Sequence, residues 1–179
     1  MTKKLWQASL KEKKNSNLFA FENYLSKKFN IKFNNSYKNL LEWSIKNSPE
    51  FWSTFWDFSK IKGIKSNKKL RKSKIFYKNL FLPGTKLNFG QNLLSKNNDE
   101  KAITFISENG FREIRSWKKL NLNTASIIQF LKQIKIVKGD RIASYMPNCI
   151  ETVEAFLATT SIGGIWSSCS PDFGANGVI

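Results

Sequence analysis

Between residues 141 and 169 the chain alternates a short strand pattern, an amphipathic stretch and a second strand pattern, with no antiparallel return between them. Residues 141–146 read as a strand closed by Pro147-Asn148. Asn148 is placed to cap a helix, with Glu151 three residues on as in a capping box. Ile150, Val153, Phe156 and Leu157 supply the apolar side of that helix, Gly163-Gly164 ends it, and Ile165-Trp166-Ser167 opens the second strand. Strand, helix, strand in this order predicts a parallel pair joined by a right-handed crossover. A parallel sheet is buried on both faces, so the pattern demands further strands and covering helices. The sequence reaches Gly177, Val178 and Ile179 without a closing signal, and is therefore expected to be the front part of something longer.

Upstream, two further patterns bear on the architecture. Residues 101–107 (KAITFIS) and 111–115 (FREIR) flank Glu108-Asn109-Gly110, a turn whose Asn and Gly both tolerate positive φ, and so predict a β-hairpin. Ser116 can cap a helix over 117–136 with Leu120, Ile127, Ile128, Leu131 and Ile134 inward, and Lys138-Gly139-Asp140 turns into the next strand. The first hundred residues read differently. Residues 17–29 carry Leu18, Phe21, Leu25 and Phe29 at helical steps, and 37–46 gather Leu40, Leu41, Trp43 and Ile45. Ser48-Pro49-Glu50 then reads as a helix start with Ser48 as N-cap and Pro49 at the first helical position. The helix it opens bears Phe51, Trp52, Phe55, Trp56 and Phe58, a face expected to dock on the rest of the protein. Burying each such side chain is worth about 1.5–3 kcal/mol. Phe81-Leu82-Pro83-Gly84 marks a turn, and 85–94 leads into a loop around 96–99.

Charge is lopsided, with a formal net charge of +17. No acidic residue occurs between Asp57 and Asp99, while Lys60, Lys62, Lys65, Lys68, Lys69, Arg71, Lys72, Lys74 and Lys78 crowd around Phe76 and Tyr77. Such a run can bind phosphates and stack bases. It is also what a solvated lysine connector in a Lys-, Asn- and Ile-rich chain looks like, and that reading is preferred, so no nucleic-acid partner is expected. No apolar run long enough to span a membrane exists, and the N-terminus lacks the apolar core of a secretory signal. Histidine is absent and the two cysteines, Cys149 and Cys169, have no partners at ligand spacing, which fits a reducing cytoplasm. No Ser–His or Cys–His pair and no His-ligated metal can be built from these residues.

The candidate site is the segment 168–177 after the second strand, where α/β proteins place ligands. Ser167, Ser168 and Ser170 offer hydroxyls and Asp172 a carboxylate, and Gly174 and Gly177 permit close backbone approach. Ordinary turns use the same residues. The patterns G-x-x-x-x-G-K-[ST] and G-x-G-x-x-G are absent. Gly163-Gly164 reads as a helix terminus and Asp140 as a turn residue.

The stretch PNCIETVEAFLATTSIGGIWSSCSPDFG at 147–174 resembles the adenylate-forming family of acetyl-CoA synthetases, acyl-CoA ligases and luciferases, and within it the acetoacetate-activating branch. The resemblance runs back through Gly139-Asp140-Arg141, FLPGTKLNFGQNLL at 81–94, LLEWSIKNSPEFWSTFWDF at 40–58, and Leu5-Trp6 with Ser16-Asn17-Leu18. Acetyl- and propionyl-activating members carry a His-Ser-x-x-Phe-Gly-Gly-Phe-Ser type of loop where this chain has Trp166-Ser167-Ser168-Cys169-Ser170-Pro171-Asp172-Phe173-Gly174. The resemblance implies an α/β fold of the N-terminal portion of the large domain: a helical region with a lysine-rich connector over 1–98, and over 99–179 the start of the AMP-binding domain, with hairpin and parallel strand–helix–strand. It implies an AMP-forming acid–thiol ligase that uses ATP, Mg²⁺ and CoA to activate acetoacetate, with another short acyl acid as the alternative substrate. The family's phosphate loop, ribose-binding Asp and catalytic Lys have no counterpart in these residues. Ser170, Pro171 and Asp172 match, by position alone, the segment bordering the CoA pantetheine tunnel.

Overall fold

The computed structural model describes residues 5–178, which fall into two compact units dividing between Lys86 and Leu87. The first unit is mainly helical: α1 (Leu10–Lys14), α2 (Asn17–Phe29), α3 (Tyr37–Lys46) and α4 (Ser48–Phe58). Hydroxyl caps set the starts of the first three. Ser9 and Glu12 form a reciprocal capping box, Ser16 Oγ accepts the Phe19 N–H, and Ser36 Oγ accepts the Asn39 N–H. Asn30 ends α2 in the left-handed conformation, with φ +51°, where a short polar side chain is tolerated.

The core of this unit is Phe21, Leu25, Phe33 and Leu40, packed by Phe29, Trp43, Phe51 and Phe58. Phe21 stands edge-on to Phe51 at 5.5 Å and lies 4.9 Å from Phe58. Two expectations need correction here. Ser48 is the first residue of α4, not its cap: Asn47 occupies the N-cap without a side-chain bond. Its side chain is instead turned back to α3, where both its N–H and its Nδ2 donate to the Trp43 carbonyl. The aromatic face of α4 is also only partly covered, Trp56 being buried while Trp52 and Phe55 remain exposed.

Beyond α4 the lysine-rich segment is organised rather than featureless. It holds short strands β1 (Gly63–Ile64), β2 (Leu70–Arg71) and β3 (Leu80–Phe81), with a 3-10 turn at Phe76–Lys78. β2 and β3 pair antiparallel, Leu70 opposite Phe81 and Arg71 opposite Leu80. Ser73 N–H donates to Asn79 Oδ1 at 2.8 Å and shapes the tip. β4 (Lys86–Leu87) closes the segment.

The second unit contains α5 (Phe89–Leu93), the hairpin β5 (Lys101–Ile106) and β6 (Arg112–Ser116), α6 (Trp117–Gln133), β7 (Arg141–Tyr145), α7 (Ile150–Ser161) and β8 (Ile165–Cys169). A 3-10 turn at Pro171–Phe173 and α8 (Gly174–Val178) follow. In the hairpin turn Gly110 alone takes positive φ, +84°, and Asn109 instead uses its side chain to accept the Phe111 N–H. Ser116 caps α6 as expected, but the helix ends at Gln133. Ile134, expected inward, becomes its C-cap and is 52% exposed. The inward face is Leu120, Thr124 and Leu131.

β7 and β8 are parallel and in register, Arg141 opposite Ile165 through Tyr145 opposite Cys169. α7 joins them, burying Ile150, Leu157 and Ala158. Its N-cap is Cys149 rather than Asn148, and no side chain caps it. The Cys149 N–H bonds the Pro147 carbonyl, and Thr152 Oγ1 donates to that same oxygen at 2.7 Å, so the chain turns into the helix one residue later than the sequence signature suggests.

Candidate functional site at the ends of the parallel strands

The C-terminal ends of β7 and β8 bring together Tyr145, Met146, Cys169, Ser170, Pro171 and Asp172. The ladder's last bond runs from the Met146 N–H to the Cys169 carbonyl, 3.2 Å. Pro171 has no N–H to extend it, so the chain leaves the sheet there. Ser170 N-caps the 3-10 turn: its Oγ accepts the Asp172 N–H at 3.4 Å and donates to Asp172 Oδ2 at 2.7 Å. The Tyr145 hydroxyl reaches across and donates to the Pro171 carbonyl at 2.7 Å.

The segment expected as a loop over 168–177 is therefore a strand end, a 3-10 turn and a short helix. Ser167 and Ser168 lie on β8 as exposed strand residues, apart from the Ser170–Asp172 pair. Gly174 takes φ +61° with open space where a Cβ would sit, whereas a Cβ on Gly177 would touch Phe173 at 3.4 Å. At the opposite end, Asp140 Oδ2 accepts the Val137 N–H at 2.8 Å and the Gly164 N–H bonds the Thr159 carbonyl, so both are structural, as read from the sequence.

Near the start of α7, hydrogen bonds from its own backbone N–H and from Cys149 hold the Glu151 carboxyl below its usual range. Burial opposes them, and the charge of Arg115 adds to the lowering. Cys149 Sγ lies 3.3 Å from Thr152 Oγ1, and both cysteines are free thiols. Among the described residues no group of three or more His, Cys, Asp or Glu is arranged to hold a metal ion, and no helix is long and apolar enough to cross a membrane. Tyr145 and Thr152 escape a reading of the sequence. The alternation of β7 marks Tyr145 only as a strand residue, and its partner lies 26 positions away.

Residues 91–178 match the family model described as AMP-binding enzyme. The chain is 36% identical to the acetoacetyl-CoA synthetase of Xenopus tropicalis over 93% of its own length and 25% of that protein's. It is 34% identical to the acetoacetyl-coenzyme A synthetase of Rhizobium meliloti, over 98% of its own length and 27% of the relative's. The solved structure of acetoacetyl-CoA synthetase from Streptomyces lividans superposes with a TM-score of 0.89 at 26% identity, covering 99% of this chain and 28% of that one. The chain thus spans about a quarter of the length of the curated relatives it matches. The parallel unit, the hairpin and the helical region all follow that solved fold, and residues 91–178 are similar to the AMP-binding enzyme family.

Proposed function

We propose that this chain is the N-terminal part of an acetoacetate–CoA ligase. The observation that carries the reading is similarity to acetoacetyl-CoA synthetases across nearly the whole chain, the helical first unit included. In such a reaction the acetoacetate carboxylate attacks the α-phosphorus of ATP, forming acetoacetyl-AMP and releasing pyrophosphate. The CoA thiolate then attacks the acyl carbonyl, forming the thioester and releasing AMP. Both steps build negative charge on oxygens, which positioned donors and a magnesium ion stabilise. The described residues include no acidic cluster fit to hold that ion, so no step is assigned to them through it.

What these residues supply is the wall of a site. Ser170, Pro171 and Asp172 border the path of the pantetheine arm, and residues 99–179 form the start of the adenylation domain. The unpaired Cys149 and Cys169 suit the reducing cytoplasm in which we place the enzyme. The test is acetoacetate-dependent formation of AMP and acetoacetyl-CoA by the full-length protein. Turnover of acetate or propionate without turnover of acetoacetate would overturn the substrate assignment, and these residues expressed alone are expected to be inactive.

A further inference from the structure

The geometry points to Tyr145 as a positioning residue for CoA, acting by fixing the path of residues 170–173; this rests on the reading of that segment as the border of the pantetheine route. After Cys169 the segment has lost the sheet. The Ser170–Asp172 contacts and the Phe173 N–H bond to the Ser170 carbonyl are all local to the turn. Among the described residues, the Tyr145 hydroxyl makes the one hydrogen bond that ties 170–178 to another part of the chain, 2.7 Å to the Pro171 carbonyl. Tyr145 is the last residue of β7 and stands in register with Cys169, so its backbone is fixed by the same ladder that delivers the segment. The ring is half exposed at the strand ends and has no aromatic partner among the described residues. Its hydroxyl is therefore the part of the side chain with a defined partner.

Two consequences follow. The direction in which Ser170 and Asp172 present their polar groups depends on a contact made outside the turn. That contact concerns the arrival of the thiol and not the attack of the carboxylate on ATP, so the two half-reactions separate its role from a general loss of structure.

The experiment compares the full-length wild-type protein with Tyr145→Phe, which deletes one oxygen and keeps the ring. Acetoacetate-dependent ATP–pyrophosphate exchange reads the first half-reaction, and the KM for CoA reads the second. Losing one neutral hydrogen bond corresponds to a rise of about three- to tenfold in KM for CoA, with exchange unchanged. Equal losses in both half-reactions, or no change in either, overturns the inference. Hydrogen exchange over 170–178 reads the tether itself whatever the acyl substrate: it quickens in Tyr145→Phe, and unchanged exchange overturns the inference independently. Absence of acetoacetate-dependent pyrophosphate exchange in the wild type, together with quickened hydrogen exchange in the variant, leaves the tether standing and overturns the ligase reading along with the CoA role.

Discussion

Arg115 Nε lies 2.9 Å from Glu154 Oε1, joining the hairpin strand β6 to the buried side of α7. The contact is an ion pair rather than an aligned hydrogen bond. The same guanidinium reaches Glu113 at 3.1 Å and Glu151 at 3.5 Å, while Asn123 Nδ2 on α6 donates to Glu154 at 2.9 Å. The partners are unequal. Arg115 has three carboxylates, whereas the Glu154 side chain, 4% exposed, has one cation. Removing one side of a buried pair leaves an uncompensated charge. Arg115→Leu is therefore expected to cost about 2–4 kcal/mol, and Glu154→Leu about 1–2 kcal/mol, since the stranded Arg115 keeps Glu113 and Glu151. Urea midpoints of the two variants check this, and equal costs would refute the asymmetry.

Gly90 permits α5 to approach α7 closely. A Cβ there would lie 2.2 Å from Ser161 Oγ and 3.0 Å from the Leu157 carbonyl. Gly90→Ala forces the helices apart and is expected to lose about 1–3 kcal/mol. Ser161→Ala in the same background should recover only part of this, because the Leu157 carbonyl is backbone. Ser161→Ala alone removes a buried hydroxyl that has no partner, and is expected to be neutral or slightly stabilising in thermal melts.

The limits of α2 and α3 and the pairing of β7 with β8 were legible, because apolar period and the strand–helix–strand order are local signals that packing here reinforces. The starts of α4 and α7 slip by one residue. At α4 two capping-competent residues, Asn47 and Ser48, stand together and neither side chain caps the helix, while at α7 the bonds of Cys149 N–H and Thr152 Oγ1 to the Pro147 carbonyl carry the start past Asn148. Ser170 and Asp172 could be named as polar groups at a strand end. Tyr145 could not, since its partnership exists only once the parallel register is known. The Arg115–Glu154 pair was invisible for the same reason, as charged residues 39 positions apart read individually as surface.

Asp57 gives the first unit an acid-sensitive contact. Burial pulls its pKa up, but hydrogen bonds and charge from Lys65 at 2.6 Å and Lys28 at 3.4 Å outweigh this and hold it below the usual carboxylate range. A carboxyl depressed in the folded state adds stability above its unfolded value, about 3.9. That stability is lost as pH falls from there through the folded value. Lys65→Met should therefore lower stability at neutral pH and flatten its decline between about pH 4 and pH 2. Denaturant midpoints measured across that range decide the matter, and a decline as steep as that of the wild type would rule Asp57 out as its source.

Lys65 also separates the lysines that hold structure from those that do not. Its ammonium donates to the Ser53 carbonyl at 2.7 Å as well as pairing with Asp57, and Lys69 pairs with Glu50 at 3.3 Å. Lys68, Lys72 and Lys74 are exposed and have no carboxylate partner among the described residues. Replacing those three together by Gln is expected to change stability by less than about 0.5 kcal/mol, as substitutions at exposed, unpartnered sites do. Any affinity of the wild type for single-stranded RNA should be a charge effect that falls steeply with salt. Binding to poly-uridine that persists at about 150 mM salt and disappears in the triple variant would show instead that these lysines form a nucleic-acid surface.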